Sequence, residues 1–297
     1  MLSAAIILPG KAEMLPFDSF RSIEGVKWDG IFYSGKMKNH SFERALIFSS
    51  PEIIPLICDL LVVIDPLFCT FDYLSFAIRS GCHLFLSDKL TLTSAERKQL
   101  IHLASEGRTY IQIQNDFLFH PFQDKIRSLA KHQCFIEVSQ SVPSKPDCMN
   151  KLLLDNLLMI LRAAGSPVHK VNIFCGTVPS QPPDLLNIHI NFKNGSLATL
   201  TLKFIDHHLD HFLSFQAAGE FTTFDFLHNS ISYHTDKEIN KTLPKRSPDP
   251  LQEQIADFVK NIRAKNNFGF SLEDETQAFQ LVEKIKEKIE IQSFTTH

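Results

Sequence analysis

Three features of the sequence predict an α/β chain. Short apolar strands alternate with helices over the first hundred or so residues, a set of period-two strands follows, and two amphipathic helices close the chain. The predicted architecture is a Rossmann-like doubly wound parallel sheet followed by an α+β domain with an open, mostly antiparallel sheet. At 297 residues the chain exceeds one minimal core, and the change of texture divides it into domains 1–118 and 119–297.

Residues 4–8 form an unbroken apolar stretch, as a strand covered on both faces requires. A short helix over 16–23 and a strand over 30–33 follow. Ser50-Pro51-Glu52 is a helix-start signal that leads through Ile57 into Leu60-Leu61-Val62-Val63-Ile64, a second buried strand. The spacing then predicts a helix over 71–79 closed by Gly81, a strand over 83–86, a helix over 93–105 ended by Gly107 and a strand over 110–113. Beyond residue 119 helices are expected over 121–131 and 152–164, with a proline-marked stretch over 142–146 between them. Strands follow over 170–175, 186–192, 197–204, 213–218 and 221–226, and turns such as Lys193-Asn194-Gly195 make them an expected antiparallel meander. Pro248-Asp249-Pro250 opens one terminal helix, to about Lys265, and Ser271 with Asp274 opens the other, to about Ile289.

The composition narrows the partners. A hydrophobic fraction of 44%, a charged fraction of 21% and a net charge of −3 are those of a soluble globular protein, with no field to attract nucleic acid or an anionic membrane. The opening apolar run lacks a basic leader and is too short to span a bilayer, and no later stretch is a span candidate. Six cysteines without a C-x-x-C pair suit reduced thiols in a cytoplasmic protein, where they act as small apolar residues. The 26 phenylalanines, against one tryptophan, indicate a core filled by Phe. Asp206-His207-His208-Leu209-Asp210-His211 is dense in metal-ligating types, but it follows a strand, where residues four apart do not converge. An exposed turn between strands is expected there, and no metal.

The block from Asp65-Pro66 through Gly81-Cys82-His83 to Asp88-Lys89-Leu90 resembles the glucose-fructose oxidoreductase and inositol dehydrogenase (Gfo/Idh/MocA) family. In that family a strand ends in Thr-Pro-Pro, a helix ends in Gly-Lys-His and a further strand delivers Glu-Lys-Pro. Gly165-Ser166-Pro167-Val168 and Phe192-Lys193-Asn194-Gly195-Ser196-Leu197-Ala198 are similar to the family's turn after its catalytic helix and to its Phe-x-Asn-Gly-Ala hairpin. The resemblance implies a dinucleotide site that includes Pro66, with Lys89 near the nicotinamide and the substrate hydroxyl. It also implies self-association through the C-terminal sheet into a homo-oligomer.

The residues depart from that pattern at several places. A G-x-G-x-x-G turn admits a pyrophosphate because glycines let backbone N–H groups approach it. The corresponding loop, Leu8-Pro9-Gly10-Lys11-Ala12-Glu13-Met14, has one glycine, so binding would rest on Gly10 and Lys11. The second strand ends Tyr33-Ser34-Gly35-Lys36 without the carboxylate that holds an NAD ribose, so a retained cofactor would be NADP, held by Ser34 and Lys36. Asp88 and Leu90 flank Lys89 in place of Glu and Pro. Counted back from Gly165, the family's Asp-x-x-x-His pair falls on Lys151 and Asp155, leaving Asp155 as a candidate base whose ordinary pKa near ~4 suits neutral pH poorly. Two readings follow. One is a degenerate homologue that has lost hydride transfer and binds a small-molecule ligand or serves as a scaffold, with no cofactor. The other is an active NADP-dependent oxidoreductase acting on a sugar-like or polyol-like substrate through Lys89 and Asp155.

Overall fold

The structure is a computed structural model that describes residues 1–9, 20–34, 47–86, 90, 92–115, 120–129, 133–143, 149–176, 184–205, 208–217, 220–234, 239–243, 249–265 and 271–295. The chain forms two compact units, one of Met1–Phe119 with Ser247–Thr276, the other of His120–Arg246 with Gln277–His297.

In the first unit the described strands are β1 (Leu2–Leu8), β2 (Val26–Tyr33), β3 (Leu60–Val63), β4 (His83–Leu86) and β5 (Ile111–Ile113). They form a parallel sheet of order β2-β1-β3-β4-β5. Beyond β2 a single parallel bridge joins Ile31 to Ile47, and the Phe48 N–H donates to the Ile31 carbonyl at 2.9 Å. Counted as a strand of one rung, this bridge completes the 3-2-1-4-5-6 order of a doubly wound sheet, whose strand order reverses between β1 and β3. The predicted helix start at Ser50 produces a 3-10 helix, Pro51–Leu56, with Pro55 inside it. Helix α1 (Phe71–Arg79) packs on β4 and on α2 (Ser94–Gly107). The α2 N-terminus carries a full capping box between Thr93 and Glu96, and its left-handed closing residue is Arg108, φ 51°, one position beyond Gly107. Most of the helix expected over 16–23 lies outside the described residues.

The first unit also contains α5 (Pro250–Ala264), which the sequence division leaves with the second domain. The reason is its buried face. Leu251, Ile255, Phe258, Val259 and Ile262 join one core cluster with Ala4, Ile6, Leu8, Leu60, Val62 and Phe85, with Phe258 and Phe85 ring centroids 6.0 Å apart. Asp249 caps the helix by accepting from the Gln252 N–H at 3.0 Å, and Pro250 takes the first helical position. The fully buried Gln254 accepts from the Asn115 N–H at 2.9 Å. A second tie is ionic. Arg97 on α2 pairs with Glu275, in the first turn of α6 (Leu272–Thr295), with both side chains almost wholly buried, and the Arg97 Nε donates to the Leu92 carbonyl at 3.1 Å.

The second unit holds α3 (Gln123–Leu129), β6 (Phe135–Val142), α4 (Met149–Ala164), β7 (Val168–Gly176), β8 (Leu185–Phe192), β9 (Leu197–Phe204), β10 (Asp210–Ala217), β11 (Glu220–Asp225), β12 (Ser230–His234) and β13 (Ile239–Thr242). The eight strands among the described residues lie in the order β13-β12-β11-β10-β6-β9-β8-β7. This departs from the expected meander, because β6, absent from the predicted elements, sits between β9 and β10. It pairs parallel with β9 and antiparallel with β10. Period-two alternation divides the sheet cleanly. The row Ile173, Ile188, Leu200, Val138, Leu213, Phe224 is buried, and α4 packs on β6 and β9. The neighbouring row on the opposite face reads Phe174, Asn187, Thr201, Ser139, Phe212, Asp225, and none of its side chains is fully buried.

The two motifs that carry the resemblance in this unit meet in space. Asn194, in the β8–β9 hairpin, donates its side-chain amide to the Ala164 carbonyl at the end of α4 at 3.0 Å, its N–H to Ser166 Oγ at 3.1 Å, and accepts from the Ser196 N–H at 3.0 Å. Gly195 has φ 85°, a left-handed backbone that favours glycine, and the Gln133 Nε2 donates to its carbonyl at 2.9 Å.

Removing one partner of the Arg97–Glu275 pair leaves a buried unpaired charge. Arg97→Met is expected to lower unfolding stability by about 3–5 kcal/mol. Arg97→Met with Glu275→Leu is expected to recover most of that loss in denaturant unfolding.

Candidate functional site

In a doubly wound sheet ligands bind outside the carboxyl ends of the strands where the strand order reverses, so the edge formed by the ends of β1, β2 and β3 is the candidate site of the first unit. Backbone hydrogen bonds hold this edge together. The Ser34 N–H donates to the Leu8 carbonyl at 3.2 Å, and the Ile64 and Asp65 N–H groups both reach the Ile7 carbonyl, at 2.9 and 3.3 Å. Ser34 and Pro66, predicted at the cofactor, thus lie at the ends of the two strands that flank β1, Ser34 exposed and Pro66 half-buried. Gly10, Lys11, Lys36 and Lys89 lie outside the described residues.

Sequence reasoning passed over the most constrained group at this edge. Asp65 follows β3 and is 2% exposed. Its Oδ1 accepts from the Leu67 N–H at 3.0 Å and so caps the 3-10 turn Pro66–Phe68, while its buried Oδ2 has no hydrogen-bond partner among the described residues. Phe68 stands edge-on to Phe32 and to Tyr73, each at 5.5 Å between ring centroids. Burial pushes the Tyr33 hydroxyl, at the end of β2, up to about 12, so it stays protonated near neutral pH. A dinucleotide needs N–H groups or cations aimed at its phosphates. The described residues of this edge present a buried carboxylate, and the loop that follows β1, where such groups would stand, lies outside the described residues.

The second candidate region lies on α4. Lys151 and Asp155, one helical turn apart, form an ion pair at 3.3 Å with side chains 53% and 34% exposed. The residue predicted as a base is therefore engaged by the residue predicted to have replaced its partner. The next residue, Asn156, is buried and satisfies all its hydrogen-bonding groups. Its amide donates to Gln140 Oε1 at 2.6 Å and to the Leu152 carbonyl at 2.7 Å, which leaves Oδ1 to accept from His211 Nε2 at 3.2 Å. Gln140 and His211 are register partners across β6 and β10. The His211 ring packs on Phe226 at 4.7 Å, and Phe226 in turn on His120 and Phe122, both at 5.2 Å. Burial pushes the His211 imidazole down to about 4, against the opposing influence of Asp210 and Asp225, so it is neutral at pH 7.

The histidine-rich segment is more than an exposed turn. Strand β10 begins at Asp210, a buried carboxylate on the face opposite His211 that accepts from Ser141 Oγ at 2.8 Å and lies 3.2 Å from His208 and 3.6 Å from Lys203. Burial opposes its charge, but Ser141, Lys203 and His208 together hold it below the usual carboxylate range. Asp206 and His207 lie outside the described residues, and among those described no three His, Cys, Asp or Glu side chains converge as metal ligands. Cys58 and Cys82 are buried free thiols pushed up to about 12 by burial, inert as nucleophiles. Among the described residues no helix is long and apolar enough to cross a membrane.

His211 makes stability depend on pH. Its pKa is about 4 folded against an ordinary 6.5, so as pH falls the unfolded chain takes the proton first. The contribution is present above pH 6.5 and is lost as pH falls towards 4, by at most about 3 kcal/mol. His211→Gln, which keeps an N–H donor for Asn156, is expected to flatten that part of the stability profile measured by urea unfolding.

No protein-family model matches the sequence, and no curated protein does. Solved structures do. UDP-N-acetylglucosamine 3-dehydrogenase from Acidithiobacillus ferrooxidans superposes with a TM-score of 0.79 at 18% identity, covering 96% of each chain. A dehydrogenase from Chromobacterium violaceum gives 0.82 at 13%, over 99% of this chain and 97% of that one, and an NAD binding oxidoreductase from Klebsiella pneumoniae gives 0.78 at 12%, over 96% of each. At these identities the likeness is one of fold: the chain is built as these dehydrogenases and oxidoreductases are, with a Rossmann-like parallel sheet and a mixed, mostly antiparallel second sheet.

Proposed function

We propose that this protein is a divergent homologue of the glucose-fructose oxidoreductase and inositol dehydrogenase family that has given up hydride transfer and acts as a ligand-binding or scaffold protein. The observation that carries this reading is the Lys151–Asp155 ion pair. A general base must present its lone pair to the substrate proton. Here the only carboxylate at the family's two positions is bound by an ammonium on its own helix, on a face where solvent reaches both groups. Catalysis by several groups acting as a unit is lost when such parts change together. The departures at Gly10, Ser34, Leu90, Lys151 and Asp155 fall on one such set.

Ser34 favours a second reading. Its exposed position at the end of β2 is where a cofactor ribose is held in this fold, and with Lys11 and Lys36 it would hold the phosphates of NADP in an oxidoreductase that uses Lys89 and Asp155 on a polyol-like substrate. Self-association belongs to either reading. The face of the second sheet opposite α4 exposes Phe174, Leu197, Phe135 and Phe221 among threonines and serines, a surface suited to a second copy of the chain.

Thermal unfolding of the full chain with NAD, NADH, NADP and NADPH separates the two readings. The first expects no stabilisation by any of the four. A bound cofactor at a hundred times its Kd would add about 2.7 kcal/mol, and such a shift, abolished by Lys36→Ala, would overturn the first reading. For the self-association, Phe135→Glu with Leu197→Glu, register partners on the exposed face, is expected to yield monomers in sedimentation experiments.

A further inference from the structure

We infer that Asp65 is a specificity-determining residue that makes the carboxyl edge of the first sheet reject phosphate-bearing ligands. The inference rests on the reading of this chain as a binding protein and names what its first unit excludes.

Asp65 sits where a doubly wound sheet places its ligand: its N–H is held by the Ile7 carbonyl of β1, at the β1–β3 reversal of strand order. The carboxylate cannot turn aside, because Oδ1 is committed to the Leu67 N–H and the side chain is 2% exposed. Among the described residues, its buried Oδ2 has no hydrogen-bond partner and no ion pair reaches Asp65. At an effective dielectric of about 20, a phosphate charge within about 6 Å of a carboxylate is disfavoured roughly a hundredfold. The cap itself does not require the charge, since Asn and Thr serve at such positions as well.

The test is isothermal titration of the full-length wild type, Asp65→Asn and Asp65→Thr with NADPH, with NADH and with adenosine, which has the same base and sugar but no phosphate. Both variants keep a capping oxygen, and thermal unfolding checks that they fold as the wild type does. The expected result is at least a tenfold gain in affinity for NADPH and NADH in the variants, with adenosine unchanged. Equal affinity in wild type and variants, no detectable binding by either variant at millimolar cofactor, or an equal gain for adenosine would overturn the inference. Wild-type binding of NADPH bears on the other question: it would sink the binding-protein reading, while the ratio of variant to wild type still decides the role of Asp65.

Discussion

A parallel sheet must be covered on both faces, and in the first unit that requirement is met from far along the chain. The face that carries Ala4, Ile6, Leu8, Leu60 and Val62 is closed with Phe258 and its neighbours on α5, about two hundred residues downstream. Burying apolar side chains of this size stabilises by about 1.5–3 kcal/mol each. The α5 face, the cap at Asp249 and the Arg97–Glu275 pair therefore act as one closure. Without them β1 would present its core side chains to water, and the edge that carries Ser34 and Asp65 would lose the strand that supports it.

The second unit solves a different problem. Its sheet has one face buried and one open, and the alternation along each strand is strict enough that rows of six residues run across the strands in register, apolar on one side and mixed on the other. Strand β6 supplies the join, and the polar group it brings to the α4 face, Gln140, is where helix and sheet exchange hydrogen bonds through Asn156 and His211. A hydrogen-bond network of this kind fixes the helix in rotation as well as position.

Most of the elements were legible in the residues. Apolar runs such as Leu60–Val63, the cap at Thr93 and the Lys193-Asn194-Gly195 turn each have a local physical cause, and each is found where that cause puts it. The remainder depended on distance. Phe-Ile-Glu-Val-Ser-Gln-Ser-Val does alternate with period two, but it lies between two predicted helices, just before the proline-marked stretch, and nothing local says that it will insert between β9 and β10. Helix α5 advertises its amphipathic face but not the sheet it will cover. The same limit applies at the site. The spacing of Lys151 and Asp155 foretells their ion pair, whereas the meeting of Asn156 with His211 requires knowing that Gln140 and His211 are register partners. Asp65 stood in the quoted resemblance, but the cap, the burial and the unpaired oxygen that give it weight are three-dimensional facts.

The tie between Asn194 and the end of α4 bears on how such a chain can diverge. The helix is anchored at its terminus by a hairpin amide and along its length by leucines beneath it. None of these anchors is a residue at position 151 or 155. The helix thus separates inheritance into two ledgers, one that keeps its pose and one that writes its outward chemistry. Substitutions in the second are nearly neutral for folding, so the outward face of the helix can change residue by residue while the backbone remains superposable on proteins with which it shares fewer than one residue in five.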